Sequence, residues 1–230
     1  MSRFCPLSAE IGRGFNQAAA DFGTQGTKPT HPELLDFLAS ELIDHDWSTH
    51  HIHRLILGSA TYCQSSQASA SALENDPLNT AYSRWEPRRL EAEAIRDSIL
   101  AVAGSLSRRA GGPSVAQPSK HRSIYLNQRR DNLPNQQTLF DGEAAIVSCS
   151  RRRVSTTPLQ PLWLMNSEFT QQAAAQLARR SNDVRTAFLT AIGREPSEIE
   201  IHTLTALASD HGLQSACLAI LNSSEFLYLP

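Results

Sequence analysis

Arg88-Arg89-Leu90-Glu91-Ala92-Glu93-Ala94-Ile95-Arg96-Asp97 is the stretch that sets the fold class. Charged residues of both signs run through it, yet Ile95, Ile99, Val102 and Leu106 continue an apolar seam at spacings of three and four. That period belongs to an α-helix with one buried face, and it predicts helix from Arg88 to Leu106. Within it Glu93 and Arg96 stand at i and i+3, where side chains on a helix meet. Glu91 and Glu93 sit at i and i+2 and point to different faces. A proton shared between them, as acid–base work would need, is therefore not expected.

The same reading extends in both directions. Residues 1–30, rich in Gly, Ala and Thr, read as an irregular arm. Thr30-His31-Pro32-Glu33 is a helix start, with Thr30 as cap and Glu33 closing a capping box. Leu34, Leu35, Phe37, Leu38 and Leu42 then follow at helical spacing. Asp46-Trp47-Ser48 turns the chain into a second helix with Ile52, Leu55, Ile56 and Ala60 inward, giving an antiparallel pair over about 31–64. Ser65 to Ser83 reads as a surface loop anchored by Leu73 and Leu78.

Past the Arg88 helix, about 87–107, Gly111-Gly112-Pro113 and Pro118 mark an extended connection over about 108–160. Ile124 and Leu126 alternate with Tyr125 and Asn127, a short strand candidate whose partner would be Ala145 to Val147. Leu162-Trp163-Leu164-Met165 reads as an apolar turn. From 166 to 226 helix dominates, with Asn166 or Ser167, Asp183 and Ser197 as starts and Gly193 and Gly212 as stops. The expected fold is mainly α: an irregular bundle of six or seven helices over 31–230, with one short strand or hairpin.

Composition narrows the function classes. Hydrophobic residues make up 40% of the 230 and aromatic residues 7%, as in a helical core of Leu, Ile and Ala. A chain this long buries roughly 70% of its unfolded surface and needs no metal or disulfide to hold it. A net charge of −2 excludes strong nonspecific attraction to nucleic acid. Arginine pairs and the triplet Arg151 to Arg153 leave room for a local basic patch that would take a polymeric or anionic ligand. No segment approaches the ~20 apolar residues of a membrane span. The start, Met1-Ser2-Arg3-Phe4-Cys5-Pro6, has no apolar run of the signal-peptide kind.

Familiar chemistries fail on spacing. Cys5, Cys63, Cys149 and Cys217 fit no zinc pattern and read as small apolar residues, though a disulfide is not excluded. No Cys-x-x-Cys-His occurs, so no haem attachment and no cofactor is expected in this chain. Asp21-Phe22-Gly23 lacks the rest of the kinase signature, and Gly12-Arg13-Gly14 is too short for a dinucleotide loop. His45, His50, His51 and His53 crowd one corner. A metal would use His50 and His53, three apart, but no Cys is near and the acids lie on the turn. Solvated or packing histidines are the expectation, with no metal.

Several stretches together resemble a known family. They are Ile11-Gly12-Arg13-Gly14, Asp21-Phe22-Gly23, Pro29-Thr30-His31-Pro32-Glu33-Leu34-Leu35, His53-Arg54-Leu55-Ile56 and Ser59-Ala60-Thr61-Tyr62. Arg88 to Asp97, Gly111-Gly112-Pro113-Ser114-Val115, Thr156-Thr157-Pro158 and Leu164-Met165-Asn166-Ser167 continue the series. Gly193-Arg194-Glu195-Pro196 and Leu221-Asn222-Ser223-Ser224-Glu225-Phe226 complete it. This order is similar to the C-terminal domain of large secreted planctomycete-type bacterial proteins that carry an N-terminal cytochrome-c-like haem domain. The resemblance implies an extracytoplasmic context and the tail of a longer multidomain protein, whose N-terminal domains would be its partners. It carries over no catalytic residue. The leading expectation is a noncatalytic scaffold or recognition module. The rival is a hydrolase acting on complex carbohydrate or another polymer, with His31, Glu93, Arg96 and Arg153 converging in a cleft.

Overall fold

The computed structural model describes residues 28–128, 135–142, 152 and 154–229. The protein is mainly helical, and its chain divides into two compact units. One comprises Met1–Arg88 with Cys149–Arg151 and Pro230; the other comprises Arg89–Ser148 and Arg152–Leu229. The irregular arm over 1–27 and the strand partner Ala145 to Val147 lie outside the described residues.

In the first unit, α1 (Pro32–Asp44) packs against α2 (Thr49–Leu57), and α3 (Ala70–Asn75) follows. The start of α1 differs from expectation. His31 is its N-cap, with no capping bond from its side chain to the helix, and Pro32 stands in the first turn, where its missing N–H is no loss. Ser48 caps α2 as expected, accepting from the His51 N–H. Ile52, Ile56 and Tyr82 form a small core, with Leu38, Leu42, Leu55, Tyr62 and Trp85 packed around it. The 65–83 segment contains α3, capped by Ser69, and its anchors are not the expected leucines. Leu73 and Leu78 are exposed, while Asn79 and Tyr82 are buried. Asn79 holds the turn by donating to the Arg84 carbonyl and accepting from the Arg84 N–H.

In the second unit, α4 (Ala92–Val102) is shorter than the predicted helix. Arg88–Arg89 instead forms β1, paired with β2 (Tyr228–Leu229), and the Leu90 N–H donates to the Leu227 carbonyl at 2.8 Å. Tertiary pairing overrides helix propensity there, because it buries Arg89 against a carboxylate. Glu91 is the N-cap of α4. The helix stops at Gly104, whose φ of 71° suits the left-handed closing position, so Leu106 lies beyond it. Ile95 and Ile99 are fully enclosed, each burial contributing about 1.5–3 kcal/mol.

The short strand expected around Ile124 to Asn127 is instead a 3₁₀ turn (Ser123–Tyr125) followed by extended backbone at Leu126. Leu126 makes one parallel bridge to Val115 and is buried, while Ile124 is exposed. Alternation over so few residues could not distinguish a strand from a turn held by a side chain. Next come α5 (Asn135–Leu139), α6 (Leu159–Asn166), α7 (Glu168–Arg180), α8 (Val184–Ile192), α9 (Glu198–His211), α10 (Leu213–Leu221) and α11 (Ser224–Leu227). The apolar turn near Trp163 is thus helix α6. Eleven α-helices lie among the described residues, more than the six or seven expected, because several are very short.

The core gathers around α10, which packs on α7, α8 and α9. Cys217, Ile220 and Leu221 from α10 share one core with Ala173, Ala174 and Leu177 from α7, which follow the buried Thr170 at i+3, i+4 and i+7. The starts Ser167, Asp183 and Ser197 all cap as expected, the last with Glu200 in a full capping box. No helix among the described residues is long and apolar enough to cross a membrane.

Candidate functional site

Helix α4 carries polar side chains that bond to segments distant in sequence. Arg96 is buried, its side chain only 6% exposed, and it reaches the 119–123 segment rather than Glu93. Nη1 donates to Asp97 Oδ1 at 3.1 Å, to the His121 carbonyl at 3.0 Å and to Ser123 Oγ at 3.2 Å. Nη2 donates to the Ser119 carbonyl. Asp97 in turn accepts from the Ser123 N–H at 2.9 Å and from its hydroxyl at 2.7 Å. Burial pulls the Arg96 pKa down, and the neighbouring Asp97 carboxylate partly opposes that.

Glu93 is taken by Arg152, whose Nη1 donates to its carboxylate at 2.6 Å and to Glu91 at 3.2 Å. The i, i+3 pair of Glu93 with Arg96 therefore does not form. Its acceptors on the 119–123 segment lie within reach of Arg96 and offer several bonds instead of one. A third fastening lies at Arg89, whose side chain is 3% exposed and donates to Asp141 at 2.5 Å while lying over the Phe140 ring. Asp141 also accepts the Ser155 N–H and hydroxyl, and these bonds with Arg89 hold its carboxyl below the ordinary carboxylate range against its partial burial.

Of the four residues expected to converge, Glu93 and Arg96 share α4 but point into different networks. His31 belongs to the first unit and bonds the adjacent Thr30 hydroxyl at 3.0 Å. Arg153 lies outside the described residues. Sequence reasoning missed Asp97, Ser123, Asp141 and Ser155 as partners. Only Asp97 carried a local signal, through its place on the charged helix.

Chemically, the Arg96–Asp97–Ser123 set resembles an activated hydroxyl on paper. Ser123 is buried, however, and its hydroxyl is committed to Asp97 and the Glu93 carbonyl. No imidazole is bonded to that hydroxyl among the described residues. The set closes a loop onto a helix. Cys217 is likewise inert, its thiol pushed up to about 11 by burial, whereas Cys63 is exposed.

The residues able to hold a metal are in the first unit. Glu41, His45 and His51 bring one donor atom each to within 4.8 Å of one another, the one such group among the described residues. His51 Nε2 lies 2.7 Å and His45 Nδ1 3.5 Å from Glu41 Oε2. The two imidazoles stack with centroids 3.6 Å apart. His50 and His53, three apart in sequence, are not members of the group. The turn between α1 and α2 folds His51, not His50, back over His45.

The family described as a protein of unknown function, DUF1553 (PSD1), matches residues 8–208, and the chain belongs to that family. No curated protein and no solved structure matches it.

Proposed function

We propose that this DUF1553 chain is a noncatalytic scaffold or recognition module. It would serve as the C-terminal part of a larger extracytoplasmic bacterial protein of the planctomycete type, docked on the haem-bearing and intervening domains that its sequence resemblance implies. The observation that carries this reading is the surface of α1. None of its thirteen residues is buried, and Leu34, Leu35, Phe37 (50%) and Ile43 (58%) are exposed along it, followed by Trp47 (61%). Leu57 at the end of α2 adds to the exposed apolar surface. Exposed apolar side chains this frequent around one helix support a partner for that unit.

Further support comes from how the charges are used. Arg89, Arg96, Arg152 and Arg194 each pair with carboxylates of the chain, and Arg180 caps the Val102 carbonyl. Groups a polymer-cleaving enzyme would keep for substrate are here tied to neighbouring segments.

Amide hydrogen exchange on the chain alone, and with a cytochrome-c-like haem domain and its following domain added in trans, tests the reading. The expected result is protection of residues 32–44 on mixing. Unchanged exchange there counts against docking. Polysaccharide hydrolysis by the chain that Glu93→Gln abolishes would establish the enzyme reading in its place.

A further inference from the structure

We infer that Glu41, His45 and His51 form a binding site for a divalent transition metal of the zinc class. Two imidazole nitrogens and one carboxylate oxygen are the donor set of a zinc centre that leaves a fourth position for water. Nitrogen ligands favour zinc, copper, nickel and cobalt over magnesium and calcium, which take oxygen.

The distances suit this chemistry. Donor atoms bound at ~2.0–2.2 Å to one tetrahedral ion lie about 3.3–3.5 Å apart. His45 Nδ1 is already 3.5 Å from Glu41 Oε2. His51 Nε2, at 2.7 Å, has to withdraw by less than ~1 Å as its hydrogen bond gives way to a coordinate bond. Coordination requires the proton of each ring to sit on its other nitrogen, on Nδ1 of His51 and on Nε2 of His45, because both donor nitrogens now point at oxygen acceptors. The rings are stacked at an interplanar angle of 10°, so their in-plane lone pairs cannot meet at one point without a turn of one ring. His45 Nδ1 also bonds the Glu41 carbonyl at 3.0 Å, so that turn exchanges this bond for the metal, and with 46% of its side chain exposed His45 leaves the ion a path from solvent.

The backbone supplies the second observation. Asp46 and Trp47 both lie in the left-handed region, at φ 53° and 60°. The Trp47 N–H closes on the Leu42 carbonyl at 2.8 Å, and the Asp46 N–H on the Ile43 carbonyl at 3.3 Å. Left-handed conformations cost a non-glycine residue roughly 1–2 kcal/mol each. Those two bonds and the packing of Ile52 and Ile56 of α2 against Leu38 and Leu42 of α1 hold the turn in place. The turn brings α2 round so that His51 lies over His45 beside Glu41, the arrangement a three-ligand site needs. The C-terminal end of α1, with its outward carbonyls, adds a field that favours a cation.

Isothermal titration of the chelator-treated full chain with zinc chloride tests the proposal, alongside magnesium chloride and cobalt chloride. Expected are one saturable zinc site, no comparable magnesium binding, and a cobalt spectrum without a thiolate band. Zinc should raise the melting temperature of the wild-type chain. His45→Gln, Glu41→Gln and His51→Gln should each weaken zinc binding by more than roughly tenfold, while His50→Gln and Cys63→Ser leave it unchanged. His45 is exposed, so His45→Gln leaves the fold intact and isolates the ligand effect. Absence of saturable zinc binding overturns the proposal. So does unchanged affinity in His45→Gln and His51→Gln, equal loss in His50→Gln, or magnesium binding as tight as zinc.

Discussion

Replacing Arg96 with Met tests whether the 119–123 segment is held to the second unit by one buried guanidinium. Met keeps the bulk and length of the side chain but removes the donors. The Ser119 and His121 carbonyls and the Ser123 hydroxyl then lose their charged donor, and Asp97 loses its cation. Each bond to a charged group is worth ~1.5–3 kcal/mol in isolation. They are not additive, because Asp97 keeps its bonds from Ser123 and the half-buried carbonyls recover some water. Relief from burying the charge also offsets part of the loss. The expected net cost is about 3 kcal/mol, or a fall in Tm of roughly 6–12 °C.

Arg96→Lys keeps the charge but not the fork, so it should cost about half as much. Urea unfolding followed by far-UV circular dichroism reads both, with an unchanged slope showing that native stability, not denatured-state compactness, has moved. A double-mutant cycle with Ser123→Ala should show coupling above ~0.5 kcal/mol. A cost below ~1 kcal/mol for Arg96→Met, or strict additivity in the cycle, would refute the reasoning.

Two further outcomes are expected. Hydrogen bonds from Arg194 and Ser197 hold the Glu200 carboxyl down at about 2, from an ordinary 4.5. Its stabilising effect is thus complete above pH 4.5 and disappears as pH falls towards 2. Glu200→Gln should flatten the acid loss of stability in that window, and identical acid melting curves for the two proteins would contradict it. Gly104 and Gly193 both close helices at positive φ, but a Cβ on Gly104 would strike the Arg180 guanidinium while one on Gly193 meets nothing. Gly193→Ala should cost about 1 kcal/mol and Gly104→Ala more; equal costs by chemical denaturation would show that Arg180 simply moves aside.

Helix content was legible in the residues, because apolar spacing at three and four, with Ser, Asp and Gly at the ends, acts within one or two turns. Ser48, Ser167, Asp183, Ser197 and Gly193 all serve where local chemistry requires. Glu41 and His45, four apart at the end of α1, carried the same kind of local signal, but the pair expected from the sequence was His50 and His53, without Glu41. What depends on distant partners was not. Arg88–Arg89 reads as helix until its strand partner, Tyr228–Leu229, is in place. The choice of Arg96 between Glu93 and the 119–123 carbonyls depends on where that segment lies. His51 rather than His50 joins His45 because the left-handed turn at Asp46 and Trp47 sets the direction of α2. Local propensity is a property of a few adjacent residues, so the sequence alone determined the helices and their caps. Which charged group meets which is decided by burial, where a guanidinium takes every acceptor the folded chain brings within reach, and only the tertiary structure supplies that.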